Sequence, residues 1–468
     1  MPDSSFLTLP GVRDLYARKA LSPVELLDAQ LARIDALDPQ INAFTVRDTE
    51  RARQAARDSE ARWMRGEALG PLDGMPFVAK DNLMVAGLPH RRGSRAMPDT
   101  PMTETAPAVL RCQEAGAVLL GLTTMPELGA GPVTISPLTG ITRNPWDTSK
   151  QAGGSSGGSA ASVAAGFCPF ALGTDAGGSL RIPAALTGVV GFKPTGALVP
   201  MYPPNVAGGL SCVGPLARGV RDAVTVLDVI MQRDARDAMA LPWRPDGFTD
   251  GLDQGMAGRR IAMSLTLGYA PQVDPEIERA FRRVAELLTG MGAVVEEADP
   301  DIANPIDDYL VLLQSGYRYA LQNLPAERRA LLSPGMTEIL EDARGVTLEA
   351  YMAAQARCQD LARRLLDFHQ RFDLLLTPTV AAPAFAADRS YPEAFEAYPN
   401  RRAWTPYTSL FNLTQQPAIS LPMGLSEAGL PLGLHIAAPR GHDALVLQAA
   451  CALEAQLGFT ARPSVAAR

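Results

Sequence analysis

Apolar and polar positions along the chain alternate between a helical and a strand-like period. Ser22-Pro23-Val24-Glu25 is a capping box with proline at the first helical position, and it predicts an amphipathic helix to about residue 38. A charge-rich pattern predicts a second helix over 49–66. Residues 72–78 lead through a predicted strand to Lys80-Asp81-Asn82. A helix over 106–115, stopped by Gly116, precedes a buried strand over 117–122. Further on, strands are predicted over 260–265 and 293–297, on either side of a helix that Asp274-Pro275 opens and that runs to about Met291. Thr347 caps a long helix to about Phe368, a strand follows over 373–377, and 442–457 forms the last helix, with Gly458 as its C-cap. Helices alternating with short apolar strands indicate an α/β architecture.

The length of 468 residues allows several domains or one large α/β domain. With 47% hydrophobic and 20% charged residues, the chain is globular rather than disordered. A net charge of −7 repels phosphate backbones, which argues against nucleic acid or an anionic membrane as partner. The uncharged run 151–174, among the longest, has Gly and Ser through its first half and is interrupted by Pro169, so no membrane helix is expected there. The N-terminus has no basic region followed by an apolar stretch, which makes the cytoplasm the default location. The cysteines at 112, 168, 212, 358 and 451 form no CxxC and read as buried core thiols of a reducing compartment. Residues 232–258, rich in Arg, Asp, Pro and Gly, read as a surface connection.

The composition changes between Asn144 and Thr195, where five charged residues occur in 52 positions and glycines cluster. Gly153-Gly154-Ser155-Ser156-Gly157 fits the GxSxG pattern of a strand-to-helix nucleophile elbow, with Ser155 as nucleophile. That pattern needs a preceding strand, and 143–148 does not look like one; it also needs a histidine, and only His90, His369, His435 and His442 exist. Ser179 is the other candidate. Small residues precede it in Gly173-Thr174-Asp175-Ala176-Gly177-Gly178-Ser179, and they let backbone N–H groups converge on one point, as an oxyanion hole requires. The alternative is a glycine turn in which Ser179 only caps.

Four blocks together resemble the amidase signature family. They are Gly74-Met75-Pro76-Phe77-Val78-Ala79-Lys80-Asp81-Asn82, the Gly/Ser run 153–161, the stretch from Gly173 through Arg181 to Thr195, and Pro417-Ala418-Ile419-Ser420-Leu421-Pro422 with Gly429-Leu430-Pro431-Leu432-Gly433. The resemblance spans residues 22–458. It implies a single domain over 1–468, with a signature core at about 70–220 and a mixed β-sheet sandwiched between helices. It also implies a Ser–cis-Ser–Lys triad: Ser179 as nucleophile, Ser155 as bridging serine on a non-proline cis peptide and Lys80 as base. The oxyanion donors expected are the N–H groups of Ala176, Gly177, Gly178 and Ser179, with Asp175 and Arg181 bracing the loop. A free lysine titrates near ~10.4, so a base working at about 7–8 needs about 4 kcal/mol from burial and backbone dipoles. Asp81 is expected to point away from Lys80, because neighbours on an extended chain face opposite sides. No metal or organic cofactor is implied; a homodimer is.

Within the family, Ile182 after Arg181 and the missing aspartate in Ser211-Cys212-Val213-Gly214-Pro215 depart from the amidase component of the tRNA-dependent amidotransferase, and they favour a stand-alone hydrolase. A partner-dependent amidotransferase subunit that releases ammonia from glutamine, or an inactive scaffold, are the alternatives. Met125, Leu128, Met201, Tyr202, Trp404, Tyr407 and Phe411 are candidate apolar walls for the substrate. If several line the pocket, a small aryl or aliphatic amide fits better than a charged one, with carbamates and esters open to the same chemistry.

Overall fold

The computed structural model describes residues 4–205, 207–242 and 244–467. Eleven strands form one sheet: β1 (Phe44–Arg47), β2 (Pro76–Lys80), β3 (Val118–Thr123), β4 (Phe170–Asp175), β5 (Val190–Lys193), β6 (Cys212–Ala217), β7 (Arg260–Met263), β8 (Val294–Glu297), β9 (Leu374–Pro378), β10 (Ala418–Leu425) and β11 (Pro431–Ala437). Their order across the sheet is β1-β3-β2-β4-β6-β5-β10-β11-β9-β7-β8. Pairing is parallel for β3–β2–β4 and β9–β7–β8 and antiparallel for β1–β3 and from β4 to β9. The fold is α/β, with helices on both faces of a mixed sheet, as expected of the amidase signature fold.

Strand alternation fills both faces. In β2, Phe77 and Ala79 enter one apolar core and Val78 enters another, with the Ala-rich helix Gly157–Ala164 packed over it. Phe77 stacks on Phe170 of the neighbouring β4 at 5.2 Å. The helices expected near 49, 275 and 348 lie at Thr49–Arg65, Pro275–Gly290 and Leu348–Phe368. Ser22 and Glu25 form the expected reciprocal cap, but the helix Pro23–Ile41 runs three residues beyond residue 38, through Pro39, and stops at Asn42 with φ +60°. Asp147–Gln151 is a strand where none was expected. It pairs with Arg143–Asn144 in a separate hairpin and bridges Ala386 through Lys150, so it does not present Ser155 from the central sheet as an elbow would. Residues 232–258 carry no helix or strand among the described positions, yet they bury Phe248, Leu252 and Met256. Four cysteines are buried as expected, and Cys358 is half-buried. No described helix is long and apolar enough to cross a membrane.

Candidate active site

Lys80 ends β2 and is fully buried. Its Nζ lies 2.7 Å from Ser155 Oγ and 3.1 Å from Thr174 Oγ1. Ser155 Oγ lies 2.9 Å from Ser179 Oγ. The Gly154–Ser155 peptide is cis. Sheet order explains the meeting: β2 and β4 are adjacent and parallel, so their C-terminal ends lie side by side, and Ser179 follows β4 directly.

Burial lowers the Lys80 pKa to about 7; the negative charge of Asp175 opposes this and the positive charge of Arg92 adds to it. Asp81 turns away as expected and accepts the Gly93 N–H at 3.0 Å. Burial raises its pKa to about 7, against the N–H groups of Gly93 and Arg91 and the charge of Arg92.

Asp175 and Arg181 form a fully buried ion pair beneath the loop, with two contacts of 2.9 Å. Burial pushes the Asp175 carboxyl up, but Arg181, Lys193 and Asn412 outweigh it and hold the group well below the usual carboxylate range. Arg181 also donates to Asn412 Oδ1 at 2.7 Å and lies 3.0 Å from His435 Nε2. A guanidinium only donates, so His435 Nε2 accepts and the ring proton sits on Nδ1, toward Thr377 Oγ1. Burial and the Arg181 charge hold the His435 pKa well below its usual value. At this position histidine is thus a neutral strut under the loop.

One expected oxyanion donor is already engaged. The Gly178 N–H donates to Asp175 Oδ1 at 2.7 Å, and Asp175 Oδ2 takes the Leu180 N–H. Among the described residues, the N–H groups of Ala176, Gly177 and Ser179 donate to no protein acceptor. The glycines are needed for space and conformation. A Cβ at Gly177 would lie 2.2 Å from the Tyr309 hydroxyl, and Gly178 has φ +123° with Thr408 packed against it.

Ser155 and Ser179 open into a cavity also lined by Leu128 and Ile182 and by Tyr309, Leu313, Tyr317 and Arg402. Of the expected wall residues only Leu128 is present. Met125 is fully buried and does not line the cavity. Trp404 packs edge-on against Phe385 at 5.1 Å, and Tyr407 donates to the Leu265 carbonyl at 2.8 Å; both are core residues. Phe411 is buried against His435. Tyr202, with Met201, lines a small adjoining cavity that shares Asn82, Thr174 and Asn205 with the main one. Large apolar residues found without a partner in sequence are most often core, and Met125, Trp404, Tyr407 and Phe411 are. Sequence reasoning missed Tyr309, Leu313 and Tyr317. They recur every four residues on one face of the helix Ile306–Ala320, a period that could have been read. Arg402 had no such signal.

The amidase family model matches residues 25–447. The chain belongs to the amidase signature family. An acylamidase from Rhodococcus erythropolis is 35% identical over 447 residues, covering 94% of this chain and 93% of that protein. A glutamyl-tRNA(Gln) amidotransferase subunit from Chloroflexus aggregans is 34% identical over 494 residues, covering 100% of both. The crystal structure of a bacterial aryl acylamidase of the amidase signature enzymes superposes with a TM-score of 0.92 at 30% identity, covering 99% of this chain and 98% of that one. This amidase signature chain is therefore a hydrolase of amide C–N bonds. Among its described residues no cluster of three His, Cys, Asp or Glu could hold a metal ion.

Proposed function

We propose that this amidase works alone and cleaves small aryl or apolar amides through an acyl-enzyme on Ser179. The observation that carries the reading is the unbroken line Lys80 Nζ–Ser155 Oγ–Ser179 Oγ, with steps of 2.7 and 2.9 Å. With a pKa of about 7, Lys80 is partly neutral at neutral pH and can accept a proton. As Ser179 Oγ bonds to the amide carbon, its proton passes to Ser155 and that of Ser155 to Lys80. The carbonyl oxygen becomes an oxyanion, for which the free N–H groups of Ala176, Gly177 and Ser179 are the donors. One such donor lowers the barrier by about 2.7–4 kcal/mol. The C–N bond then breaks as Lys80, through Ser155, returns a proton to the departing nitrogen. Water attacks the acyl carbon and gives its proton to the same relay; the bond to Ser179 Oγ then breaks, the relay returns the proton to Ser179 Oγ, and the acid leaves. Asp175 and Arg181 position the loop.

Leu128, Ile182, Leu313 and the two tyrosines support an apolar or aryl group beside the scissile bond. The aryl acylamidase and the acylamidase among the similar proteins agree with that choice. Carbamates and esters form the same acyl-enzyme and belong to the proposal. The full-length similarity to an amidotransferase subunit favours a second reading, in which the chain releases ammonia from glutamine beside partner subunits.

The test is peptide mapping after reaction with a fluorophosphonate, on wild type and Lys80→Ala. Labelling of Ser179, much slowed in Lys80→Ala, supports the relay; labelling of Ser155 that ignores Lys80 overturns it. Turnover of chromogenic anilides by the purified chain separates the stand-alone reading from the partner-dependent one. kcat/KM rises with pH through about 7 as Lys80 loses its proton.

A further inference from the structure

Leu128, Ile182, Tyr309, Leu313 and Tyr317 line the cavity together with uncharged polar residues such as Asn82, Thr174 and Asn205, and one lining residue carries a charge. Arg402 lines it in company with Ser155 and Ser179, and no Asp or Glu does. The nearby carboxylate, Asp175, is fully buried under the loop and spent on Arg181, Asn412 and two backbone N–H groups. Among the described residues Arg402 forms no ion pair, whereas neighbouring Arg389 pairs with Glu396. The Arg402 guanidinium lies over the Tyr309 ring, 5.8 Å from its centre. That contact orients the guanidinium without neutralising it, because Tyr309 is a neutral phenol.

The backbone holding Arg402 is fixed as well. Its N–H donates to Asn400 Oδ1 at 2.9 Å, and its carbonyl accepts the Thr405 N–H at 2.9 Å and hydroxyl at 3.1 Å. Tyr309, in turn, is wedged against Gly177. The cation is therefore held in register with the loop that carries Ser179. A half-buried guanidinium without an ion-pair partner lines a cavity that holds no carboxylate, which is an unbalanced charge in the free enzyme. A planar fork of donors matches a carboxylate, and the pair is strongest where water is excluded.

We infer that Arg402 anchors a carboxylate on the substrate, so that the amides this enzyme prefers combine an apolar or aryl body with one negative charge. The inference rests on the reading of Ser179 as nucleophile, which places the scissile bond in this cavity. It narrows the expectation of a wholly apolar substrate.

Binding tests it apart from turnover. The probes are two matched pairs, each differing by one charge: N-phenylsuccinamate against N-phenylbutanamide for the acyl side, and 4-acetamidobenzoate against 4-acetamidobenzamide for the amine side. Affinities are measured by calorimetry on Ser179→Ala and on Ser179→Ala/Arg402→Gln. The expected result is binding of at least one carboxylate about tenfold or more tighter than its neutral partner. Arg402→Gln brings that ratio to near one, and Arg402→Lys restores part of it. A ratio near one in Ser179→Ala, or one that Arg402→Gln leaves unchanged, overturns the inference and leaves Arg402 as a prop for Tyr309. Fluorophosphonate labelling of Ser179 is read separately on Arg402→Gln and wild type. Labelling without charge preference means that only the anchor fails. Charge preference without labelling means that the nucleophile assignment fails while the anion site stands.

Discussion

The two walls of the cavity are built in opposite ways. Lys80, Ser155 and Ser179 stand at strand ends and on glycine-rich loops; the lysine is fully buried, and all three are linked by contacts of 2.7–2.9 Å. Under them lies a second layer of buried polar groups, Asp175, Arg181, Asn412 and His435, each held by others. The facing wall comes from one turn of chain and one helix, Ile306–Ala320, whose next tyrosine, Tyr319, is 74% exposed to solvent. It meets the first wall chiefly through Tyr309 at Gly177 and Tyr317 at the Leu128 carbonyl. A relay of protons needs donors and acceptors fixed within a few tenths of an ångström, and buried networks supply that. Recognition of a substrate body needs shape and one charge, which a surface helix can supply and vary.

Breaking the first wall should have the largest effects. Ser179→Ala removes the proposed nucleophile, and kcat for any amide is expected to fall by about 10⁴-fold or more in a fluorescent or chromogenic assay, with the fold intact by circular dichroism. Arg181→Ala leaves Asp175 buried without its partner and is expected to cost about 3–5 kcal/mol in urea unfolding.

Lys80 sharpens the comparison by its sign. The folded enzyme holds Lys80 at about 7, below the ~10.4 of an unfolded chain, so between those values the unfolded state binds the extra proton. Wild-type stability accordingly rises with pH across that window and is lost as pH falls toward 7. Lys80→Met removes this penalty. It is expected to be inactive yet more stable than wild type by about 1–4 kcal/mol at pH 7, a difference that shrinks toward pH 10 in thermal melts. Equal stability at both pH values would falsify the burial argument.

On the facing wall effects should be smaller and fall on binding. Leu313→Ala enlarges the pocket for the substrate body, so KM for an aryl amide is expected to rise several-fold while kcat holds. A matching loss in kcat would mean that the helix also sets the catalytic geometry.

Much of the wall that carries Lys80, Ser155 and Ser179 was legible because it is local. The run 153–161 and the stretch from Gly173 through Ser179 state their backbone needs in a few contiguous residues, and the burial of Lys80 follows from the apolar strand before it. Gly178 was misjudged as a free donor because the reach of the Asp175 side chain back to its N–H depends on the turn, not on residue type. Met125, Trp404, Tyr407 and Phe411 were misplaced because an apolar side chain looks the same in a core as in a pocket. The strand Asp147–Gln151 is polar and lies outside the central sheet, so no apolar alternation announced it.

Spacing within short segments was enough for the alternating elements, the Ser22–Glu25 cap and the candidates Ser155 and Ser179, while Lys80 as base came from the resemblance to the amidase signature family. Which N–H groups stay free, the neutral role of His435 and the company of Tyr309 and Arg402 in the cavity came from the folded chain. Residues more than 200 positions apart meet there because the sheet order folds them together, and no local period records which distant side chain faces the cavity.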